Sequence, residues 1–151
     1  DLGHTDILKR VSKAKEAFMF FWGDKFNVAL VTGHIPVEQI STAVTTKKIL
    51  SCLQKTTSFL KTLGYKKPNV QVLGLNPHAG DSGLIGNFEK KMMNLGLKPL
   101  VPDVAFLNPK GVDTFVCLYH DQGLIPFKMA HGFDSGVHIT LGIPFLRTSV
   151  D

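Results

Sequence analysis

An α/β fold, with helices flanking a mostly parallel sheet, is predicted by three observations on this 151-residue chain. Helix-period and strand-like segments alternate along it. The runs "FNVALVTG", "NVQVLGLN" and "DTFVCLYH" are nearly unbroken apolar stretches, the pattern of strands covered on both faces. A composition of 44% hydrophobic and 19% charged residues supplies enough apolar side chains for one real core.

The elements follow in order. Thr5 is a candidate cap for a helix running to about Phe21, with Ile7, Leu8, Val11, Ala14 and Phe18 on one face. Phe26 to Gly33 reads as a buried strand, and Pro36 suits the first turn of a short helix. A longer helix is predicted from about Thr45 to Leu63, stopped by Gly64. Asn69 to Asn76 is a second buried strand leading into the glycine-rich "PHAGDSGLIG", a loop of the kind that cradles anions but common enough to be weak evidence alone. A helix covers Phe88 to Asn94, and the proline-broken "LKPLVPDVAF" reads as an edge strand or surface connection. "DTFVCLYH" is the third buried strand, and "GVHITLGIP" is extended. No repeat or linker divides the chain, so residues 1–151 read as a single α/β region.

Composition excludes several classes. The formal charge of +5 is modest, and the lysines are scattered rather than gathered into a basic stripe with aromatics, which argues against nucleic acid as a partner. No apolar stretch is long enough to cross a bilayer. Cys52 and Cys117 have neither metal nor redox spacing and read as two inert thiols of a reducing cytoplasm.

A recurrence carries the chemistry. "VALVTGH", "VQVLGLNPH" and "FVCLYH" each end in a histidine at or just past the strand: His34, His78 and His120. Open α/β sheets bind ligands outside the carboxyl ends of their strands. Three imidazoles delivered there suit one divalent metal with a position left open for water or substrate. Taken singly, each histidine reads first as a loop or capping residue, and the threefold recurrence is what raises the metal reading. Asp121 abuts His120 and suits a base, an imidazole-orienting carboxylate or a helix cap. Lys128 and Arg147 suit either an anion grip or ordinary surface positions.

The segments "GHTD", "VALVTGHIP", "GLNPHAGDSGLIG", "YHDQGLIPFK" and "GVHITLGIPFLRTSVD" resemble, in order from His4 to Asp151, the 4-hydroxythreonine-4-phosphate dehydrogenase family of pyridoxal phosphate biosynthesis. The resemblance implies an isocitrate/isopropylmalate dehydrogenase-like fold, a two-domain homodimer with an active site shared between subunits. The chain would be its central part, lacking the N-terminal part and the C-terminal tail. It implies a divalent metal (Zn, Mg or Co) on His34, His78 and His120, and NAD or NADP as hydride acceptor. The family's substrate contacts carry over to His4, Thr5, Lys128, His138 and Arg147, and its catalytic aspartates to Asp121 and Asp103. The implied reaction is oxidation, with decarboxylation, of 4-phosphohydroxy-L-threonine to 3-amino-2-oxopropyl phosphate in the cytoplasm. Two alternatives stand beside it: a dehydrogenase of threonate or erythronate 4-phosphate, and a truncated, non-catalytic relative that keeps metal binding or dimerisation. The chain departs from the family pattern at Asp81, where glutamate is usual, at His138, where asparagine is common, and at Val104, where threonine is usual. It is also shorter between Gly86 and Asp103.

Overall fold

The computed structural model describes residues 11–12, 14, 16–132, 135–145 and 147–150. Six strands form one sheet: β1 (Phe18–Trp22), β2 (Asn27–Leu30), β3 (Val70–Val72), β4 (Thr114–Cys117), β5 (Val137–Leu141) and β6 (Thr148–Val150). Their order across the sheet is β3-β4-β2-β1-β5-β6. Only β3, β4 and β2 run parallel, whereas β1 is antiparallel to both its neighbours and β6 is antiparallel to β5. The sheet is therefore mixed, not mostly parallel as expected. The cause is local. β1 meets β2 through a short turn at residues 23–26, where the Gly23 N–H donates to Asn27 Oδ1 at 3.1 Å, and a short turn can join only antiparallel neighbours.

β1 also corrects the first predicted helix, which was carried through Phe21. In "FMFFW" the first four side chains are buried with no polar face among them. Strand geometry sends alternate residues to opposite faces. Phe18 and Phe20 enter the core cluster on one side of the sheet, while Met19 and Phe21 enter the other. A helix would leave such a run partly in water, at a cost of about 1.5–3 kcal/mol per large side chain. Val11, placed on that helix's apolar face, is 74% exposed. Thr5, Ile7 and Leu8 lie outside the described residues.

Helices cover both faces. α1 is the single turn Ile40–Ala43, which follows a 3-10 turn at Val37–Gln39 that starts beside Pro36. α2 (Thr46–Thr62) matches its predicted span. Thr45 caps it by accepting from the Lys48 N–H, and Gly64 at φ +95° ends it in the left-handed conformation that glycine takes without strain. Ile49, Cys52, Thr56 and Leu60 form its buried stripe against Phe18, Phe20, Val116 and Leu118. Burial pushes the Cys52 thiol up to about 12 and the Cys117 thiol well above its usual range, so both stay protonated and unreactive.

α3 (Phe88–Met93) and α4 (Pro102–Ala105) are short. Leu100, in the proline-broken segment, makes one parallel bridge to Leu73 at the sheet's edge. α5 (His120–His131) covers the second face with Leu124 and Phe127 against Phe21, Phe26 and Phe115. Gly123 lets it close in: a Cβ there would stand 2.5 Å from Val28 Cγ1 and 2.8 Å from Leu30 Cδ2. At the helix's far end the buried His131 ring bonds to the Phe127 carbonyl and accepts the Lys25 N–H at 3.1 Å, pinning the β1–β2 turn to α5. Among the described residues no helix is long and apolar enough to cross a membrane.

Candidate functional site

β2, β3 and β4 deliver their carboxyl ends to one edge of the sheet. β2 and β4 stay tied as they leave it. The Val31 N–H donates to the Cys117 carbonyl at 2.8 Å, and the Thr32 hydroxyl to the Leu118 carbonyl at 2.7 Å. The two exits therefore stay side by side, and His34 and His120 meet with ring centroids 5.0 Å apart at 45°. Both rings line a small pocket of about 190 Å³ with Gly33, Ile35, Tyr119 and Asp121. Asp121 Oδ1 lies 2.8 Å from His120 Nδ1. An ionised carboxylate only accepts, so Nδ1 carries the proton and Nε2 keeps its lone pair for a ligand. Asp121 is the second residue of α5, with Tyr119 at the cap position, so the helix-cap role is not the one it takes.

β3 diverges from β4 beyond their shared ladder, and side chains replace the backbone pairing there. Gln122 bridges the gap, its Oε1 accepting from the Leu118 N–H at 2.7 Å and its Nε2 donating to the Gly74 carbonyl at 2.8 Å. Glu89, on α3 and only 1% exposed, accepts from the Leu75 and Asn76 N–H groups at 2.7 and 2.8 Å and from Asn76 Nδ2 at 2.9 Å. The chain then turns sharply. His78, Ala79, Asp81 and Ser82 all take positive φ, between 42° and 55°, around Gly80 at φ +80°. Each such non-glycine residue costs on the order of 1 kcal/mol. Hydrogen bonds to a charged carboxylate contribute about 1.5–3 kcal/mol each and offset that strain.

The turn presents His78 to a larger cleft of about 850 Å³, with Asp103, Asp121 and Gln122 on its polar side and Phe106, Leu107, Ile125 and Met129 on its apolar side. The cleft shares Tyr119 and Asp121 with the smaller pocket, so His78 stands on one side of that wall and the His34–His120 pair on the other. Among the described residues no three His, Cys, Asp or Glu side chains converge closely enough to hold a metal. The donor chemistry nonetheless fits a divalent cation. Two imidazoles face each other, one has its tautomer set by a carboxylate, and a third lies beyond a shared wall.

The other expected site residues are spread out. Arg147 is at the same sheet edge, its carbonyl accepting from the Thr140 N–H at 3.2 Å, but beside β6. Three strand spacings separate β6 from β2, roughly 14 Å. Lys128 is half-buried on α5, two turns beyond Asp121, and lines neither cleft. His138 sits inside the sheet on β5, stacked on Phe21 at 4.8 Å, with Ser149 Oγ 3.4 Å from its Nδ1. His4 and Thr5 lie outside the described residues. Sequence reasoning missed Glu89, Gln122 and Asn76. Gln122 and Asn76 stand within the quoted motifs, beside His120 and His78. Glu89 in "NFEKK" has the look of a solvated helix charge.

The model of the family described as pyridoxal phosphate biosynthetic protein PdxA matches residues 2–151. A 4-hydroxythreonine-4-phosphate dehydrogenase from Aquifex aeolicus is 44% identical over 99% of this chain and 50% of its own length. A D-threonate 4-phosphate dehydrogenase from Salmonella typhimurium is 36% identical over 99% of this chain and 49% of its own length. Among solved structures, a 4-hydroxythreonine-4-phosphate dehydrogenase from Klebsiella pneumoniae superposes with a TM-score of 0.85 at 32% identity, covering 100% of this chain and 50% of that one. The chain thus spans about half the length of the curated relatives it matches.

Proposed function

We propose, from the premise that this chain belongs to the PdxA family of pyridoxal phosphate biosynthetic proteins, that it carries the metal-binding core of a dehydrogenase acting on 4-phosphohydroxy-L-threonine. The observation that carries the reading is the edge geometry: His34 and His120 face each other, Asp121 orients His120, and His78 opens onto the adjoining cleft. In this reading the fold is the isocitrate dehydrogenase-like half of a homodimer whose active site is shared between subunits. The separation of His78 from the other two histidines supports a site that one chain alone does not close.

His34, His78 and His120 would hold a divalent cation (Zn, Mg or Co), which lowers the proton affinity of a hydroxyl and stabilises charge developing on oxygen. NAD or NADP supplies the hydride acceptor. Asp121 orients His120 through one carboxylate oxygen and accepts the substrate hydroxyl's proton at its carboxylate. Asp103, on α4, lines the cleft and adds a second carboxylate to it. In this reading Lys128 and Arg147, with His4, Thr5 and His138, would bind and orient the phosphate and carboxylate of the substrate in the shared site, outside the His78 cleft of this chain. Oxidation and decarboxylation would yield 3-amino-2-oxopropyl phosphate. The 36% identity to a D-threonate 4-phosphate dehydrogenase favours one second reading, a four-carbon sugar-acid phosphate in place of the amino acid.

Two measurements test the proposal. NADH formation is followed with 4-phosphohydroxythreonine and with D-threonate 4-phosphate, using the chain alone and the chain extended to the length of its relatives. Turnover of the first substrate in metal-replete extended dimer is expected, with at least a hundredfold loss in His120→Ala. Co²⁺ titration is expected to show tenfold or greater weakening in each of His34→Ala, His78→Ala and His120→Ala. Unchanged Co²⁺ affinity in all three variants, or no turnover of either substrate by the metal-replete extended dimer, overturns the reading.

A further inference from the structure

One buried charge has no part in the chemistry just proposed. Glu89 lines neither cleft, yet it is almost wholly buried, on a six-residue helix otherwise rich in lysine and methionine. A carboxylate is costly to bury unless its oxygens are met, and its recorded partners are three N–H donors, all from Leu75 and Asn76. Those residues immediately precede the turn that carries His78. The chain is also shaped around the acid. A Cβ on Gly80 would stand 2.7 Å from Glu89 Oε2, and one on Gly74 would stand 3.4 Å from Oε1. A Cβ on Gly86 would stand 2.6 Å from Asn76 Nδ2, the amide that Glu89 holds. The carboxylate is thus met by Gly74 before the left-handed turn and Gly80 within it, and the amide it holds is met by Gly86 beyond the turn.

We propose that Glu89 is a positioning residue: its carboxylate is the template on which residues 75–86 fold, and it sets where the His78 imidazole stands relative to His34 and His120. The inference rests on the reading of His78 as a metal ligand. Glu89 touches neither metal nor substrate in it. Its effect passes through two backbone N–H groups and the Asn76 amide to the residue two positions on. Groups that orient metal ligands in this way change metal affinity by about 10–100-fold when removed.

The test uses the extended dimer of the proposed function, Co²⁺ alone as the probe, and amide hydrogen exchange as a readout independent of metal. Glu89→Ala is expected to weaken Co²⁺ binding at least tenfold, approaching His78→Ala. The Leu75 and Asn76 amides should then exchange at least a hundredfold faster, while the Phe115 and Val116 amides of β4 keep their protection. Glu89→Gln retains a carbonyl that accepts both backbone N–H groups, and it should restore both readouts to within about threefold. Where Glu89→Ala does not fold, Glu89→Asp, which draws the carboxylate back by one methylene, takes its place with the same expectations. If His78→Ala weakens Co²⁺ binding while the Glu89 variant leaves affinity and the two amides within twofold of the parent, the template role is wrong. If His78→Ala itself leaves Co²⁺ binding unchanged, the ligand reading fails and the proposal falls with it. If β4 protection collapses together with the two amides, Glu89 is a general stability residue and the proposal is overturned.

Discussion

At the scale of single residues, the proposal places two roles on one carboxylate, and they can be separated. Asp121 accepts the His120 Nδ1 proton at 2.8 Å, which requires only an acceptor, whereas taking a proton from substrate requires a base. Asp121→Asn keeps an acceptor oxygen and loses the base. It should hold Co²⁺ affinity within about threefold while lowering turnover by about 10²–10⁴-fold in the extended dimer. Asp121→Ala should lose both. Equal metal affinity across the parent and both variants would show that the observed hydrogen bond orients nothing of consequence. His34 and His120 were legible in the sequence because an unbroken apolar strand announces its own end, and the first polar residues after it must lie at the sheet's edge. Glu89 was not legible. Burial of an acid depends on donors from a segment thirteen residues earlier, and no local pattern encodes that partnership.

Among the elements, α5 is packed tightly onto the sheet. Gly123 is three residues into the helix that positions His120 and Asp121, and the space for its missing side chain is taken by Val28 and Leu30. Gly123→Ala forces overpacking that costs about 1–3 kcal/mol, and the helix must lift from β2 and β4. Thermal unfolding should shift down by about 3–10 °C. His34 and His120 should separate as well, so that Co²⁺ affinity falls with the shift. A melting temperature unchanged within 1 °C would show that the contact is slack. α2 was readable to within a residue at each end because its cap, apolar period and terminal glycine agree. β1 was misread because the helical period was carried past Val11, which is helical, into a stretch whose decisive feature, four consecutive buried side chains, begins only at Phe18.

The whole molecule divides by the direction of its strands. β1 and β2 meet through a tight turn and pair at once, the first side-chain bond across it linking residues four apart. The parallel half is different: β2 waits for β4, and the bond between Thr32 and Leu118 spans 86 residues. That asymmetry was hidden in the sequence, where apolar runs such as those of β1, β2 and β4 look alike and nothing marks direction. It has a consequence in time. Closing a long loop must precede the reward of its contacts, so non-local pairing forms late. The β2–β4 edge belongs to the non-local pairings, as does the antiparallel β1–β5 pair, so His34 and His120 are expected to come together only after the β1–β2 hairpin has formed. Pulsed hydrogen exchange during refolding should protect the Met19 to Phe21 amides before those of Phe115 to Cys117, and simultaneous protection would contradict the order. A chain still emerging or partly folded should therefore hold His34 and His120 apart, and the proposed metal would meet the two imidazoles together only once β4 has joined β2.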